Sequence, residues 1–203
     1  MESITKSPDG SAWFAPYAKI RTDSYVVLAS LLGQPPSGNL LKILQNLQWD
    51  GSVPEGLDRA LRALRQAGHD YPLSALAEEY NKLFVGLGSG EMVPYASWYR
   101  EKRIQSSTLG SLRSDLILLG IVRQADSHES EDHVGALCEC MALITRNPKE
   151  RDHATQARFF QRHIAPWMTT FFKDLGSAKS AQFYRTVGLF GSRFLESEIE
   201  YLK

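Results

Sequence analysis

Two short stretches hold most of the side chains that could do chemistry. The first runs from Gly90 to Arg100 and places Tyr95, Trp98 and Tyr99 around Ser97, behind glycines at 86, 88 and 90. The second is Ser127-His128-Glu129-Ser130-Glu131-Asp132-His133. Catalysis is the first chemistry to weigh. A serine hydrolase carries its nucleophile on a recognisable turn, and Gly88-Ser89-Gly90 does not complete a Gly-x-Ser-x-Gly elbow. No histidine pair has the i,i+4 spacing of a zinc-binding helix, Cys138 and Cys140 do not form a Cys-x-x-Cys clip, and there is no Gly-x-x-x-x-Gly-Lys-Ser/Thr phosphate loop. The sequence therefore predicts no metal, no cofactor and no enzyme. What remains is recognition: acids able to hold cations, beside rings able to hold an apolar chain.

Each group also has a plainer role. Ser130 suits a helix N-cap, and Glu131 and Asp132 suit the positive end of the helix dipole. His133 shares a helical face with Leu137, Cys140 and Ile144, which predicts half-burial, and a buried imidazole satisfied by one hydrogen bond accounts for it without function. Trp13, Trp49 and Trp167 read as core or cover residues. Trp98 and Tyr99 fall in no helical period. A solvated connector gains nothing from such aromatic surface, so these rings either pack on the core or line a site.

Helices must position both stretches. Tyr17, Ile20, Tyr25, Leu28, Leu31 and Leu32 predict a helix over 14–32, ended by Gly33-Gln34-Pro35-Pro36. Leu40, Leu41, Leu44 and Leu47 predict a short second one, stopped near Asp50-Gly51. Leu57, Leu61 and Leu64 follow Pro54, which sits where a first-turn proline belongs. The next helix starts near Pro72 and carries Leu73, Leu76, Tyr80, Leu83 and Phe84. Beyond the aromatic stretch, Leu109 to Leu119 forms another, and Val134 to Arg146 a further one. His153 to Ile164 precedes Pro166, which must kink or restart the chain. The helix continuing from Trp167 closes at Gly176, and a last one spans about Ala178 to Leu202. No alternating strand pattern or hairpin turn occurs. The expectation is an all-α fold, one helical bundle of roughly nine to eleven helices over residues 1–203. Residues 1 to about 12 form a loose arm, and the polar segment 123–132 is a possible hinge.

Composition narrows the classes. The 203 residues are 43% hydrophobic, and 23 Lys and Arg balance 23 Asp and Glu. A neutral chain is not built to hold a polyanion, which argues against nucleic acid. The apolar runs are too short to span a bilayer, and the first residues lack the basic-then-apolar pattern of a signal peptide. A cytoplasmic protein with reduced thiols follows as the expectation.

Four blocks in order carry a family resemblance: Tyr80-Asn81-Lys82-Leu83-Phe84-Val85-Gly86, Pro94-Tyr95-Ala96-Ser97-Trp98-Tyr99, Glu131-Asp132-His133-Val134-Gly135, and His163-Ile164-Ala165-Pro166-Trp167. Together they resemble the TorD/DmsD family of cytoplasmic chaperones for molybdenum- and iron–sulfur-containing redox enzymes. The resemblance implies a TorD-like bundle that binds the twin-arginine signal peptide of an apo-oxidoreductase and assists its maturation before export. It places Tyr95, Ser97 and Tyr99 in the family's loop motif, and Asp132 and His133 in its second motif. The peptide-binding candidates are then Tyr95, Ser97, Trp98, Tyr99, Glu129, Glu131, Asp132 and His133. Asp126 adds a further acid. Two positions depart from the pattern: Ser130 stands for the usual proline, and Leu137 for an acid found in some members. The competing readings are a GTP-dependent switch or enzyme, which some relatives suggest, and a plain helical adaptor between subunits. Monomer and domain-swapped dimer both remain open.

Overall fold

The computed structural model describes residues 14–49, 53–85, 90–102, 107–123, 129–146 and 151–203. The expected N-terminal arm, the breaks at Gly86 and Gly88, Asp126 and the centre of the expected hinge lie outside these residues. Among the described residues ten α-helices follow one another: α1 (Phe14–Leu32), α2 (Gly38–Gln45), α3 (Glu55–Asp70), α4 (Leu73–Tyr80), α5 (Ala96–Glu101), α6 (Ser107–Leu118), α7 (Val134–Arg146), α8 (His153–His163), α9 (Met168–Ser177) and α10 (Phe183–Tyr201). A π-helical turn, Asn81–Val85, extends α4. No strand occurs among the described residues, so the all-α expectation holds.

The apolar faces meet in one core. α1 packs chiefly on α7, and α10 on α9 and α3. Two close crossings depend on glycine. A Cβ at Gly135 would come within 2.8 Å of Gly33 Cα, and one at Gly188 within 2.6 Å of the Gly176 backbone nitrogen. The bare backbone lets α7 start directly against the end of α1, and lets α10 approach α9. A buried polar network also crosses the core. The Arg21 guanidinium donates to both Glu198 oxygens (2.5 and 3.0 Å) and to Gln156 (2.8 Å), while Tyr25 donates to Glu198 (2.9 Å). One cation thereby joins α1, α8 and α10.

Several boundaries move from expectation. Pro54 lies just before its helix rather than inside its first turn, whereas α4 does start beside Pro72. Pro166 restarts the chain, since α8 ends at His163 and α9 begins at Met168. The last helix starts at Phe183 rather than near Ala178. Buried Glu79, on α4, accepts the N–H groups of Gln182, Phe183 and Tyr184 (2.7, 3.0 and 2.8 Å), and Glu91 accepts those of Lys179 and Ser180. Two carboxylates remote in sequence thus satisfy the first amides of α10 and hold residues 178–182 as a turn before it.

Candidate functional site

The two chemistry-bearing stretches meet. Tyr95 and His133 form a lone antiparallel bridge, flanked by Ala96 N–H to the Asp132 carbonyl (3.0 Å) and Val134 N–H to the Pro94 carbonyl (2.8 Å). Asp132 completes the joint. Its carboxylate accepts the Ser97 N–H (3.0 Å) through one oxygen and the Ser130 hydroxyl (2.6 Å) through the other. It therefore caps α5 from 35 residues away, where the orphan amides of a helix start want an acceptor. On the opposite side, the Tyr95 ring meets the His133 ring edge-on with centroids 5.1 Å apart.

This geometry corrects two expectations. Ser130 does not cap α7; helix α7 begins at Val134, and Ser130 instead closes the turn that precedes it, its carbonyl accepting the His133 N–H (3.0 Å). The cap is His133 itself, whose Nδ1 accepts the Gly135 N–H (3.1 Å). That bond requires a neutral ring with its proton on Nε2. His133 is also buried (4% exposed) rather than half-buried. Burial pushes its pKa down, against an opposing pull from Glu129 and Asp132. The plain reading of this histidine, one satisfied hydrogen bond in a closed environment, describes its position.

The predicted binding residues divide by exposure. Asp132 (1% exposed) and Ser97 (0%) face inward, so neither meets an approaching ligand in this conformation. Tyr99 is half-buried, its hydroxyl donating to Asp174 (3.0 Å) and its ring packed on Trp167 and Phe171. Trp98 and Tyr99, expected outside any helical period, lie on the short helix α5, and Trp98 is its aromatic left open, with Lys102 Nζ 5.7 Å from its ring centre. Tyr95 is half-buried and donates to the exposed Glu129 (2.5 Å). Burial, and then the carboxylate it touches, hold the Tyr95 hydroxyl protonated well beyond neutral pH. Glu131 is gripped by Arg113 of α6 through two parallel bonds of 3.0 Å, which hold its carboxyl below the usual range.

Beside this joint lies a cavity of about 550 Å³ between α1, the end of α6 and α7. Of the eight predicted residues only Glu129 and Glu131 line it. Its apolar wall includes Val26, Leu116, Val122 and Leu143, of which Val122 is 85% exposed, and the adjoining Ile117 and Leu118 are also open to solvent. Glu139 lines it too, without an ion-pair partner among the described residues, and partial burial raises its pKa. Arg123 and Arg146 share the lining; Arg146 stands in the last turn of α7, where a cation suits the helix dipole. Sequence reasoning passed over Glu139, although a lone carboxylate between Cys138 and Cys140 in an otherwise apolar helix was a usable signal. It passed over Arg113 for lack of any local signal, because the partner is 18 residues away.

The two thiols face the core, and burial pushes Cys140 up to about 12, so neither is poised to react. No three His, Cys, Asp or Glu side chains converge to hold a metal among the described residues, and no helix there is long and apolar enough to cross a membrane.

Known proteins resemble this chain in sequence and in fold. The chain is 25% identical to the Tat proofreading chaperone DmsD of Haemophilus influenzae over 151 residues, covering 73% of this chain and 71% of that protein. It is 26% identical to chaperone protein TorD of Pasteurella multocida over 175 residues, covering 80% and 87%. A redox enzyme maturation protein from Archaeoglobus fulgidus has a similar fold, with a TM-score of 0.61 at 19% identity over 87% of this chain and 94% of that one. The profile of the nitrate reductase delta subunit family matches residues 50–173, which include both stretches of the joint. The chain belongs to that family, in keeping with the TorD/DmsD resemblance of its motifs.

Proposed function

We propose that this protein is a non-enzymatic, cytoplasmic chaperone of redox-enzyme maturation. In this reading it binds the twin-arginine signal segment of a molybdenum- and iron–sulfur-containing apo-oxidoreductase and holds the client until its cofactor is in place. The observation that carries the reading is the joint itself. The aromatic and acidic stretches are bridged into one unit, and Glu129 and Glu131 emerge from it onto an apolar cavity. A twin-arginine signal offers two guanidinium groups followed by an apolar run, and this wall offers carboxylates beside Val26, Leu116, Val122 and Leu143. Glu129, Glu131 and Glu139 hold the arginines. Asp132, His133, Ser97 and Tyr95 keep the two stretches in register, Tyr99 anchors α5 on α9, and Trp98 is open to the client.

Burial of about 400 Å² of apolar surface gives roughly 10 kcal/mol gross. Ordering the peptide and losing rigid-body freedom offset much of it, which leaves binding in the micromolar range or somewhat tighter.

Calorimetric titration of a synthetic peptide, Arg-Arg followed by an apolar run, tests the site. A Glu129→Gln, Glu139→Gln double variant removes two exposed carboxylates, leaves the backbone bridge and the Asp132 bonds in place, and at position 129 keeps an amide oxygen for the Tyr95 hydroxyl. It should keep its unfolding temperature and weaken binding at least about tenfold, since one charge-assisted hydrogen bond contributes ~1.5–3 kcal/mol. Unchanged affinity in the folded double variant would remove this cavity from the reading.

A further inference from the structure

The end of α6 separates two cavities. The second, of about 330 Å³, lies between the last turn of α6 and α8, and its wall carries Arg151 and Arg158. Neither guanidinium pairs with a carboxylate among the described residues. Arg151 donates to the backbone carbonyls of Leu119 and Leu143 (both 3.2 Å), which hold the side chain in place without neutralising it. Arg158 is exposed and enters no hydrogen bond or ion pair among the described residues. The acids nearby are spent. Asp115 is taken by Arg162 (3.0 Å) and by the His163 ring (2.6 Å). Asp152, which feels the Arg158 charge, accepts the Thr155 N–H (2.9 Å) as the cap of α8. The rim of the cleft is apolar and open: Leu118 is 81% exposed and Ile117 76%. Apolar side chains this exposed, beside cations without counter-ions, mark a surface that a partner covers.

We propose that this cleft is a second docking site, for an acidic, apolar segment of a protein partner. Arg158 offers a free fork to one carboxylate, and Arg151, already pinned on the same wall, adds its charge without having to move. Leu118 and Ile117 take the apolar side chains that flank the acid. Charge complementarity selects the occupant. The twin-arginine segment has the wrong sign for this wall, so the site goes beyond the reading above and does not compete with it. A small anion would satisfy Arg158 but leave Leu118 and Ile117 in water. An anionic bilayer would cover them, yet it would bring Glu129 and Glu139 of the first cavity toward its headgroups. An acidic peptide meets the arginines and the apolar rim and avoids those acids.

The probe is a synthetic peptide in which two glutamates are set among leucines, compared with the same peptide carrying lysines, each titrated calorimetrically into the full chain. The glutamate peptide should bind saturably, and at least about tenfold more tightly than the lysine one. Arg158→Gln should weaken it about tenfold, the worth of one charge-assisted fork, and Arg158→Lys should recover part of that loss. Leu118→Ser should weaken it about fivefold through lost apolar burial. Both side chains are exposed, so the variants should fold. Affinity should be unchanged when the first cavity is saturated with the Arg-Arg peptide. Failure of the Arg-Arg peptide to bind would unseat the proposed function and leave this site standing. Inorganic phosphate bound through Arg158, with peptide affinity indifferent to Leu118→Ser, would reduce the cleft to a small-anion site. Co-sedimentation with phosphatidylglycerol vesicles that Arg158→Gln abolishes, without peptide binding, would make it a membrane face. Either result overturns the proposal, as does a glutamate peptide that fails to saturate or ignores Arg158→Gln.

Discussion

Arg21 and Asp132 are both ionisable side chains buried in the interior of this protein, and their surroundings treat them in opposite ways. Around Arg21, charge meets charge: Glu198 neutralises it, Gln156 accepts a further hydrogen bond from it, Tyr25 donates to Glu198, and the Tyr201 ring covers the guanidinium at 4.1 Å. Around Asp132 no ion-pair partner appears among the described residues. The carboxylate is held by one backbone N–H and one hydroxyl, at the positive end of the short helix α5. The first arrangement binds three long helices into a core. The second joins two short segments by bonds that carry no compensating charge. A joint of the second kind is the weaker, and it is the one bordering the cavity. Local opening at the proposed client surface is then expected to cost less than opening of the core.

The largest expected effect tests the core half of that contrast. Glu198→Gln strands the Arg21 guanidinium without a counter-ion and should lower the unfolding free energy by about 3–5 kcal/mol in urea titrations. Replacing the pair with apolar residues of similar volume, Arg21→Met with Glu198→Leu, should return most of that loss. A double variant no more stable than the single one would mean that the network is a positional requirement and not a solved charge. At the joint the effect is smaller. Asp132→Ala leaves the Ser97 N–H and Ser130 hydroxyl unpaired and should lower stability by about 1–3 kcal/mol, with signal-peptide binding falling too as the two stretches lose register. A folded Asp132→Ala protein with wild-type stability would dissolve the distinction drawn here.

How much of this was legible in the sequence follows from where each partner lies. The helices were readable because apolar spacing is local: the faces of α1, α3, α7 and α10 are written in i, i+3 and i+4 positions. The start of α10 was not, because its amides are satisfied by Glu79, 103 residues or more upstream. The π-helical turn after α4 was equally hidden, since Asn81 to Val85 keep a helical apolar period. The same distance rule governs the site. Asp132 was read as an acid for the dipole of its own helix and as a peptide-binding candidate, because its capping of α5 depends on a backbone N–H that no pattern around residue 132 reveals. His133 was half-read. Its apolar face was visible, whereas its capping of α7 depended on where the helix begins. Glu139 was legible in principle, as a lone acid on the exposed side of an otherwise apolar helix.

Acid should separate the two regions, with the smallest effect of the three. Burial lowers the pKa of His133 from its ordinary 6.5, and that of His163 as well, although Asp115 pulls the latter back. A folded pKa below the unfolded value means that the unfolded chain binds the extra proton first. Stability is then complete above about pH 6.5 and declines as pH falls toward the folded pKa, by at most about 1.4 kcal/mol per pH unit for each histidine. In the core network, burial drives the Tyr25 pKa well up and Glu198 raises that of Arg21, so neither titrates in this window. Between pH 7 and 5 the joint should therefore loosen first, read as faster amide exchange at Ala96, Ser97 and Gly135 than along α10. Protonating His133 abolishes the Nδ1 acceptor and places a cation at the start of α7, and both changes oppose the cap. His133→Asn keeps a capping oxygen but cannot titrate, so it should flatten the pH dependence of the unfolding temperature by one histidine's share. An unaltered slope in that variant would assign the acid sensitivity to His163 and return the joint to the same footing as the core.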